Sequence, residues 1–449
     1  MKASPLRHLK WTALFKVLSL SSGFLTSLVL ARLLPVADVG SYFLAFSSAL
    51  FIALLIRLGL RQVIVRFITE VSSDVSQDPA TGALLLRFLG LLTVSSVIWS
   101  VLFLGPAQEL IREQAFSGNL SSAAYRYSIV WGLALAFMPA IAAMLRGVGR
   151  PALAGAVDNA LAPLIALFIF AVVLILNVKI NVETCLAVAA ASGVMVAASS
   201  IGLLLRGFSG FRSEKDLPSL VSILKTSLPI QAMNIAGFLA INFSLWAVAA
   251  RLDSNDLGAY AVAMRIYNLI AVPLVVVSMA FEPQLAKLAR AQEIDRATLL
   301  ARQGTGLAFF ATALLSVVVF IFGRDLLSLL YGSEYTVAFT PLCVLLIGNI
   351  VNVWTGPTNA MLIVSGQQNL VAIAQVSCAT LSCALCVILV ESFGLIGVAM
   401  AVATSGAVFN LAMLRAVRRR TRVDTSFDFA TLRVMISSSL VEARNWRAP

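Results

Sequence analysis

Residues 31–42 read ARLLPVADVGSY, and residues 250–260 read ARLDSNDLGAY. Both run Ala-Arg-Leu, a short spacer, Asp, an aliphatic residue, Gly, one variable residue and Tyr. Gly40 and Gly258 stand 218 positions apart. A second pair, MLRGVGRPAL from Met144 and MLIVSGQQNL from Met361, recurs at an offset of 217, and Ser192-Gly193 matches Ser405-Gly406 more weakly at 213. A repeat of this length, drifting as loop lengths change, divides the chain into two similar halves.

Composition says what the halves are made of. Of 449 residues, 60% are hydrophobic and 12% are charged, against roughly 25% charged in a soluble domain. Runs long enough to span a bilayer, about 20 apolar residues each, fall near 12–31, 41–61, 83–104, 126–145, 152–176, 185–205, 223–250, 259–281, 304–323, 340–363, 370–391 and 395–416. The reading is an all-α polytopic membrane protein of twelve transmembrane helices, six per half. Six is even, so both copies start on the same side of the membrane. That is a parallel repeat, related by a pseudo-two-fold axis along the membrane normal, which places a substrate site between the halves. The expected organisation is a bundle over 1–206, a cytoplasmic linker over 207–218, a second bundle over 219–422 and a cytoplasmic tail over 423–449.

Lys and Arg set the orientation. With the N-terminus inside, 26 of them fall in cytoplasmic segments and 6 on the other side, which places both termini in the cytoplasm. The net charge of +12 therefore reports loop residues, not a nucleic-acid partner. The first apolar run lacks a small-x-small cleavage site and reads as a retained span. The tail stretch FDFATLRVMISSSLVEARNW, from Phe427, is too short and too charged to span. It reads as an interfacial amphipathic segment or a loose tail.

The sequence offers little chemistry for catalysis. His8 is the only histidine, which argues against a His-based metal site or a Ser-His triad. No G-x-x-x-x-G-K-[ST] motif occurs, so there is no P-loop. Cys383 and Cys386 form a C-x-x-C, but inside an apolar run, where small residues serve helix contacts. No enzyme activity, metal or cofactor is expected.

In the opening phrase, Asp38 and Asp256 are expected to cap the helices that follow. Gly40 and Gly258 permit close helix approach. Tyr42 and Tyr260 are expected at aromatic-belt depth.

Charged groups inside spans cost roughly 2.5–3.5 kcal/mol on insertion scales and are functional candidates by default. Arg265 is the sharpest, either a guanidinium fork open to an anion in a cavity or an Arg that snorkels outward or pairs with a carboxylate, with Asn268 on its face. Lys16, Arg57 and Arg61 are further candidates to draw in an anion, or ordinary positive-inside residues. Asp158, matched by Gln375 in the second half, could carry a coupling ion, anchor a basic partner or bond a neighbouring helix. Gln231, Asn234 and Asn242 share one face of helix 7, and Asn349, Asn352, Thr355 and Asn359 one face of helix 10. Such amide stripes suit a sugar-lined cavity or polar contacts between helices. Their first-half matches are mostly apolar, so for the sugar cargo that the family resemblance given next implies, the C-terminal half is expected to supply more contacts.

The stretch LARLLPVADVGSYFLAFSSALFIALLIRLGLRQVIVRF resembles the first two helices of the bacterial polysaccharide transporters, the oligosaccharide-lipid flippases. ARLDSNDLGAYAVAMRIYNLIAVPLVVVSMAFEPQLAKL, with Phe281-Glu282-Pro283-Gln284-Leu285, is similar to that family's seventh and eighth helices. The resemblance runs to about Arg422. It implies a V-shaped, MATE-like pair of bundles that alternate access to a central cavity. The implied cargo is a polyprenyl-diphosphate-linked oligosaccharide, moved to the outer leaflet of a bacterial inner membrane for exopolysaccharide, capsule or O-antigen synthesis. Implied partners are membrane lipids and a polysaccharide polymerase with its chain-length regulator. The same superfamily holds cation-coupled multidrug antiporters, the alternative reading.

Overall fold

A bilayer core has no water to satisfy backbone amides and carbonyls, so a chain this apolar closes its hydrogen bonds within helices. The computed structural model describes residues 5–71, 79–105, 107–206 and 217–429, and among these it contains helices and no strand. The helices are α1 Pro5–Leu33, α2 Val36–Val71, α3 Pro79–Leu104, α4 Ser122–Gly147, α5 over residues 151–175, α6 Val182–Leu205, α7 Leu220–Arg251, α8 Ser254–Arg290, α9 Ile294–Leu330 and α10 Ser333–Val364. The 54 residues Gln368–Thr421 would run roughly 80 Å as one straight helix, more than twice the hydrocarbon thickness. Gly394, at φ 53° and ψ −133°, breaks the run into α11 (368–393) and α12 (395–421). Every expected span has its helix. The expected 391–395 loop is this single glycine.

Equivalent helices pack alike in the two halves. α1 lies on α5 as α7 lies on α11, and α4 lies on α6 as α10 lies on α12. Near the Ala31–Tyr42 and Ala250–Tyr260 turns, the "turn end", one hydrophobic cluster takes residues from both halves, including Val39, Leu44, Val248 and Val262. Toward the end carrying Arg61, Arg146 and Arg302, the "basic end", the apolar residues separate. One cluster there is almost wholly N-terminal and another is C-terminal. The halves are thus fused at the turn end and have their own cores at the basic end.

The repeated phrase makes that fusion. A Cβ on Gly40 would sit 2.7 Å from the Gly258 nitrogen, and one on Gly258 would overlap the Val36 carbonyl. The two copies of the glycine meet each other across the pseudo-axis. Around them, Asn119 donates to the Ala249 carbonyl at 2.8 Å and accepts from Ser254 Oγ at 2.7 Å. Ser117 donates to the Ala250 carbonyl at 3.0 Å. These loop side chains of one half satisfy carbonyls at the C-terminus of α7 in the other, groups a helix end leaves orphaned. Ser27 bonds Tyr331 at 2.8 Å, and Arg32 donates to the Leu329 carbonyl at 2.8 Å.

Two expectations for this phrase are corrected. Asp253 caps α8, accepting from the Asp256 amide at 2.8 Å, while Pro35 precedes α2 without a side-chain cap. Asp38 and Asp256 sit one turn in, where a carboxylate still favours the positive end of the helix dipole. Tyr42 and Tyr260 face the bundle interior and are buried instead of facing lipid as belt residues do, Tyr42 packing on Phe43, Trp131 and Phe170 of its own half.

The start of the tail is also corrected. Residues 422–429 form a strap against α9, α10 and α12. Asp424 pairs with Arg302 at 2.8 Å and Arg418 at 3.1 Å, and Phe427 stacks on Phe309 at 4.3 Å. α10 breaks at Gly356-Pro357, and the strap supplies donors there. The Phe427 amide donates to the Trp354 carbonyl and Thr425 Oγ1 to the Thr355 carbonyl, each at 2.8 Å. Residues 430–449 lie outside the described part, as do linker residues 207–216.

The strap carries a pH prediction. Burial alone would raise the Asp424 carboxyl, but the Ser426 amide and the Arg302 and Arg418 guanidiniums outweigh it and hold it down at about 2. A depressed carboxylate contributes stability above its unfolded value, near 3.8, and loses it as pH falls toward the folded value. Hydrogen exchange of residues 422–429 is expected to stay slow from pH 7 to about 4 and to quicken below that, after correction for intrinsic rates. Quickening near pH 6 would contradict this.

Candidate substrate cavity

A cavity of 470 Å³ lies inside the N-terminal bundle and is roofed by α8; a more open one of 630 Å³ lies near Asp256 and Arg324. The walls of the first come from α1, α2, α4, α5 and α6, with Tyr42, Phe43, Phe46 and Trp131 forming an aromatic side. α8 contributes Arg265, Asn268 and Leu269. The aromatic side is built by α2 presenting Tyr42, Phe43 and Phe46 within about one turn and by Trp131 of α4 packed against Phe46, ring centres 4.8 Å apart and tilted by 45°.

Arg265 reaches in from the other half. Its Cζ lies 4.2 Å from the Phe43 ring centre and 5.0 Å from that of Phe46. Its Nε has no hydrogen-bond partner, and no carboxylate pairs with it among the described residues. Contact with ring faces recovers about 0.5–2 kcal/mol each, comparable to the cost of placing an Arg in a span. The charge is tolerated there but not neutralised, which leaves its donors available to an anion.

Asp158 is arranged differently. Residues Ala156–Ala160 of α5 form a π-helical turn, a wider coil that re-aims side chains and recurs at functional sites. It turns the Asp158 carboxylate, 3% exposed, onto Arg61 of α2 at 2.9 Å and Arg146 of α4 at 2.5 Å. Of the roles open from sequence, this geometry is that of an anchor for basic partners. Replacing Asp158 with Asn is expected to leave two guanidiniums unpaired. The cost is about 1–3 kcal/mol, below the 3–5 of a fully buried pair because both arginines are partly exposed. It would be seen as a lower melting temperature in detergent. An unchanged melting temperature would contradict the anchor role.

The other candidates divide by position. Arg57, Arg61 and Asn234 line a smaller cavity of 250 Å³ between α2 and α7. Asn242 donates to the Phe238 carbonyl of its own helix at 3.2 Å. Asn352 donates to Asn349 Oδ1 at 3.4 Å, and Asn349 is buried. These three and Asn359 are not among the residues lining either cavity. The Lys16 side chain lies outside the described residues. The C-terminal half was expected to supply more of the sugar contacts, but the walls of the 470 Å³ cavity are mostly N-terminal. The aromatic wall and the Arg146 partner of Asp158 were missed. Arg146 lies in the second repeated phrase, where Ile363 takes its place, and that exchange was the available signal.

Comparison with known proteins places the chain. A family model described as "Polysaccharide biosynthesis protein" matches residues 6–289, and one described as "MatE" matches residues 229–388. Among curated proteins, none matches by sequence. Among solved structures, the chain is similar to an inward-facing multidrug resistance MATE family transporter of the MOP superfamily. The TM-score is 0.71 at 16% identity, covering 91% of this chain and 98% of that one. An outward-facing conformation of such a transporter gives 0.67 at 17% identity, covering 94% and 96%. A MOP superfamily transporter from Pyrococcus furiosus, described as having a binding pocket of reverse polarity, gives 0.68 at 15% identity, covering 94% and 97%. At these identities the likeness shows the shared fold.

Proposed function

The chain belongs to the polysaccharide biosynthesis protein family, a family of membrane transporters, and from that premise we propose that it is a flippase for polyprenyl-diphosphate-linked oligosaccharides. It carries the headgroup from the cytoplasmic to the outer leaflet of a bacterial inner membrane by alternating access between the halves 1–206 and 219–422. The basic end faces the cytoplasm, in keeping with the Lys and Arg distribution. The closed turn end is then the outer gate, and the structure corresponds to an inward-facing state.

One observation carries the reading: the unpaired Arg265 in the cavity, with the only lining carboxylate, Asp158, already held by two arginines. Such a site attracts an anion and repels an organic cation. The aromatic wall suits the faces of sugar rings and the proximal isoprenoid. A cation-coupled drug antiporter on the same fold would want a free carboxylate here. A reversed pocket polarity is described for the Pyrococcus furiosus neighbour, so pockets of different polarity occur on this fold.

The test is deletion of the gene in its native host. Lipid-linked repeat units are expected to accumulate in the cytoplasmic leaflet while surface polymer is lost. Unchanged polymer with new sensitivity to cationic drugs would sink the proposal in favour of the antiporter.

A further inference from the structure

The smaller cavity lies at a break in α2. α2 breaks where Leu58 and Gly59 take φ of 49° and 74°, so one helix ends at Arg57 and another, Leu60–Val71, begins. A Cβ on Gly59 would overlap the Ser227 carbonyl of α7; the break is pressed against the other half. The cavity there is lined by Arg57, Gly59, Arg61, Gln62, Gln231 and Asn234. The start of Leu60–Val71, where the Gln62 amide donates to the Gly59 carbonyl at 3.4 Å, is the positive end of a helix and favours a negative charge. Arg57 has no carboxylate partner among the described residues. With Arg61 and Arg146 set against Asp158 alone, the group retains two positive charges.

A second observation specifies what lies beside that charge. Gln231 is 5% exposed. Its Nε2 donates to the Leu54 carbonyl, and its Oε1 has no partner. Reversing the amide would set Oε1 against the Leu54 carbonyl, so the acceptor is fixed as the free group. A buried acceptor next to two cations fits a hydroxyl donor joined to an anion, as at the junction of a phosphate and a sugar.

The distance separates this site from Arg265. Phe43 and Phe46, beneath Arg265, lie 14 and 11 residues before Arg57 on unbroken helix, about 21 and 16 Å at 1.5 Å per residue. Along the backbone the two sites are separate, with Arg57, whose Nε donates to the Ala53 carbonyl at 3.1 Å, turned back toward the Arg265 site.

We propose that this cavity is a receiving station for the diphosphate–sugar junction of the cargo, occupied before the headgroup reaches Arg265. The inference rests on the flippase reading above. Arg57 and Arg61 pair with the diphosphate, and a hydroxyl of the first sugar donates to Gln231 Oε1. When Arg61 turns to the ligand, Arg146 keeps Asp158 neutralised, so no buried carboxylate is stranded.

The experiment uses the full chain in detergent with a photoreactive short-chain polyprenyl diphosphate bearing one sugar, and maps the labelled peptides. Two regions are expected, one around 54–62 and 227–234, the other around 43–46 and 265. Arg265→Ala should spare the first region. Arg57→Ala with Arg61→Gln should cut its labelling tenfold or more and spare the second. Gln231→Leu should weaken labelling there about fivefold for the sugar-bearing probe but not for its sugar-free analogue. In unsubstituted protein, excess inorganic pyrophosphate should protect the first region, a readout independent of any variant's folding. Labelling confined to the Arg265 region, or no protection by pyrophosphate, overturns the station and leaves the flippase standing. Labelling of neither region overturns both.

Discussion

Replacing Arg265 with alanine is expected to reduce export of lipid-linked oligosaccharide by roughly 10- to 150-fold while the protein remains in the membrane at normal abundance. The range follows from losing a charge-assisted hydrogen bond to phosphate, about 1.5–3 kcal/mol. The substitution should not destabilise the fold. Arg265 makes no ion pair among the described residues, and its ring contacts only offset the cost of its burial. Arg265→Lys should recover part of the activity, since ammonium keeps the charge but not the planar fork. The check is surface polymer set against protein level in a complemented deletion strain. Normal export with Arg265→Ala would remove Arg265 from the transport path.

Gly258→Val is expected to have an effect of similar size by a different route. A side chain there collides with the Val36 backbone and Cγ1, neither of which is a flexible tip that can swing away. Overpacking of this kind costs about 1–3 kcal/mol, a five- to 150-fold shift against the state in which the turn end is closed. Transport needs that state in every cycle, so the protein should stall with the gate open. With Asn268→Cys in a background lacking the five native cysteines, a membrane-impermeant thiol reagent applied from outside should label Gly258→Val several times faster than its Gly258 parent. Equal rates would mean that the glycine contact is not the gate.

Much of this fold could be read from residue types because the bilayer leaves few alternatives. Twelve apolar runs became twelve helices, and the glycine of the repeated phrase was expected to allow close approach. That the two copies approach each other could not be read, because sequence places Gly40 and Gly258 on equivalent helices without saying which faces meet. Asp38 and Asp256 were misplaced by a single turn, since Asp253 and Pro35 precede the helices and an aspartate is at home both as a cap and within the first turn. The site was less legible. Arg265 stood out because a charge in a span is costly wherever it points. The asparagines of α10 did not reach the cavities, because an amide stripe is equally at home between helices. Asp158 shows the same limit. A carboxylate in a span announces itself, but its partners Arg61 and Arg146 lie 97 and 12 positions away, and a π-helical turn that no residue pattern signals brings them together. The strap was invisible because its bonds complete a break in α10 some 70 residues earlier.

On the proposed function, a cationic cavity carries an anionic lipid-linked sugar across the membrane. The most direct measurement is leaflet exchange in vesicles containing the purified protein and a fluorescent short-chain polyprenyl-diphosphate oligosaccharide, with an impermeant quencher reading the outer pool. Exchange should exceed that of protein-free vesicles severalfold or more and fall to the protein-free rate with Arg265→Ala. Exchange no faster than in protein-free vesicles, alongside protein-dependent movement of a cationic dye, would contradict the account.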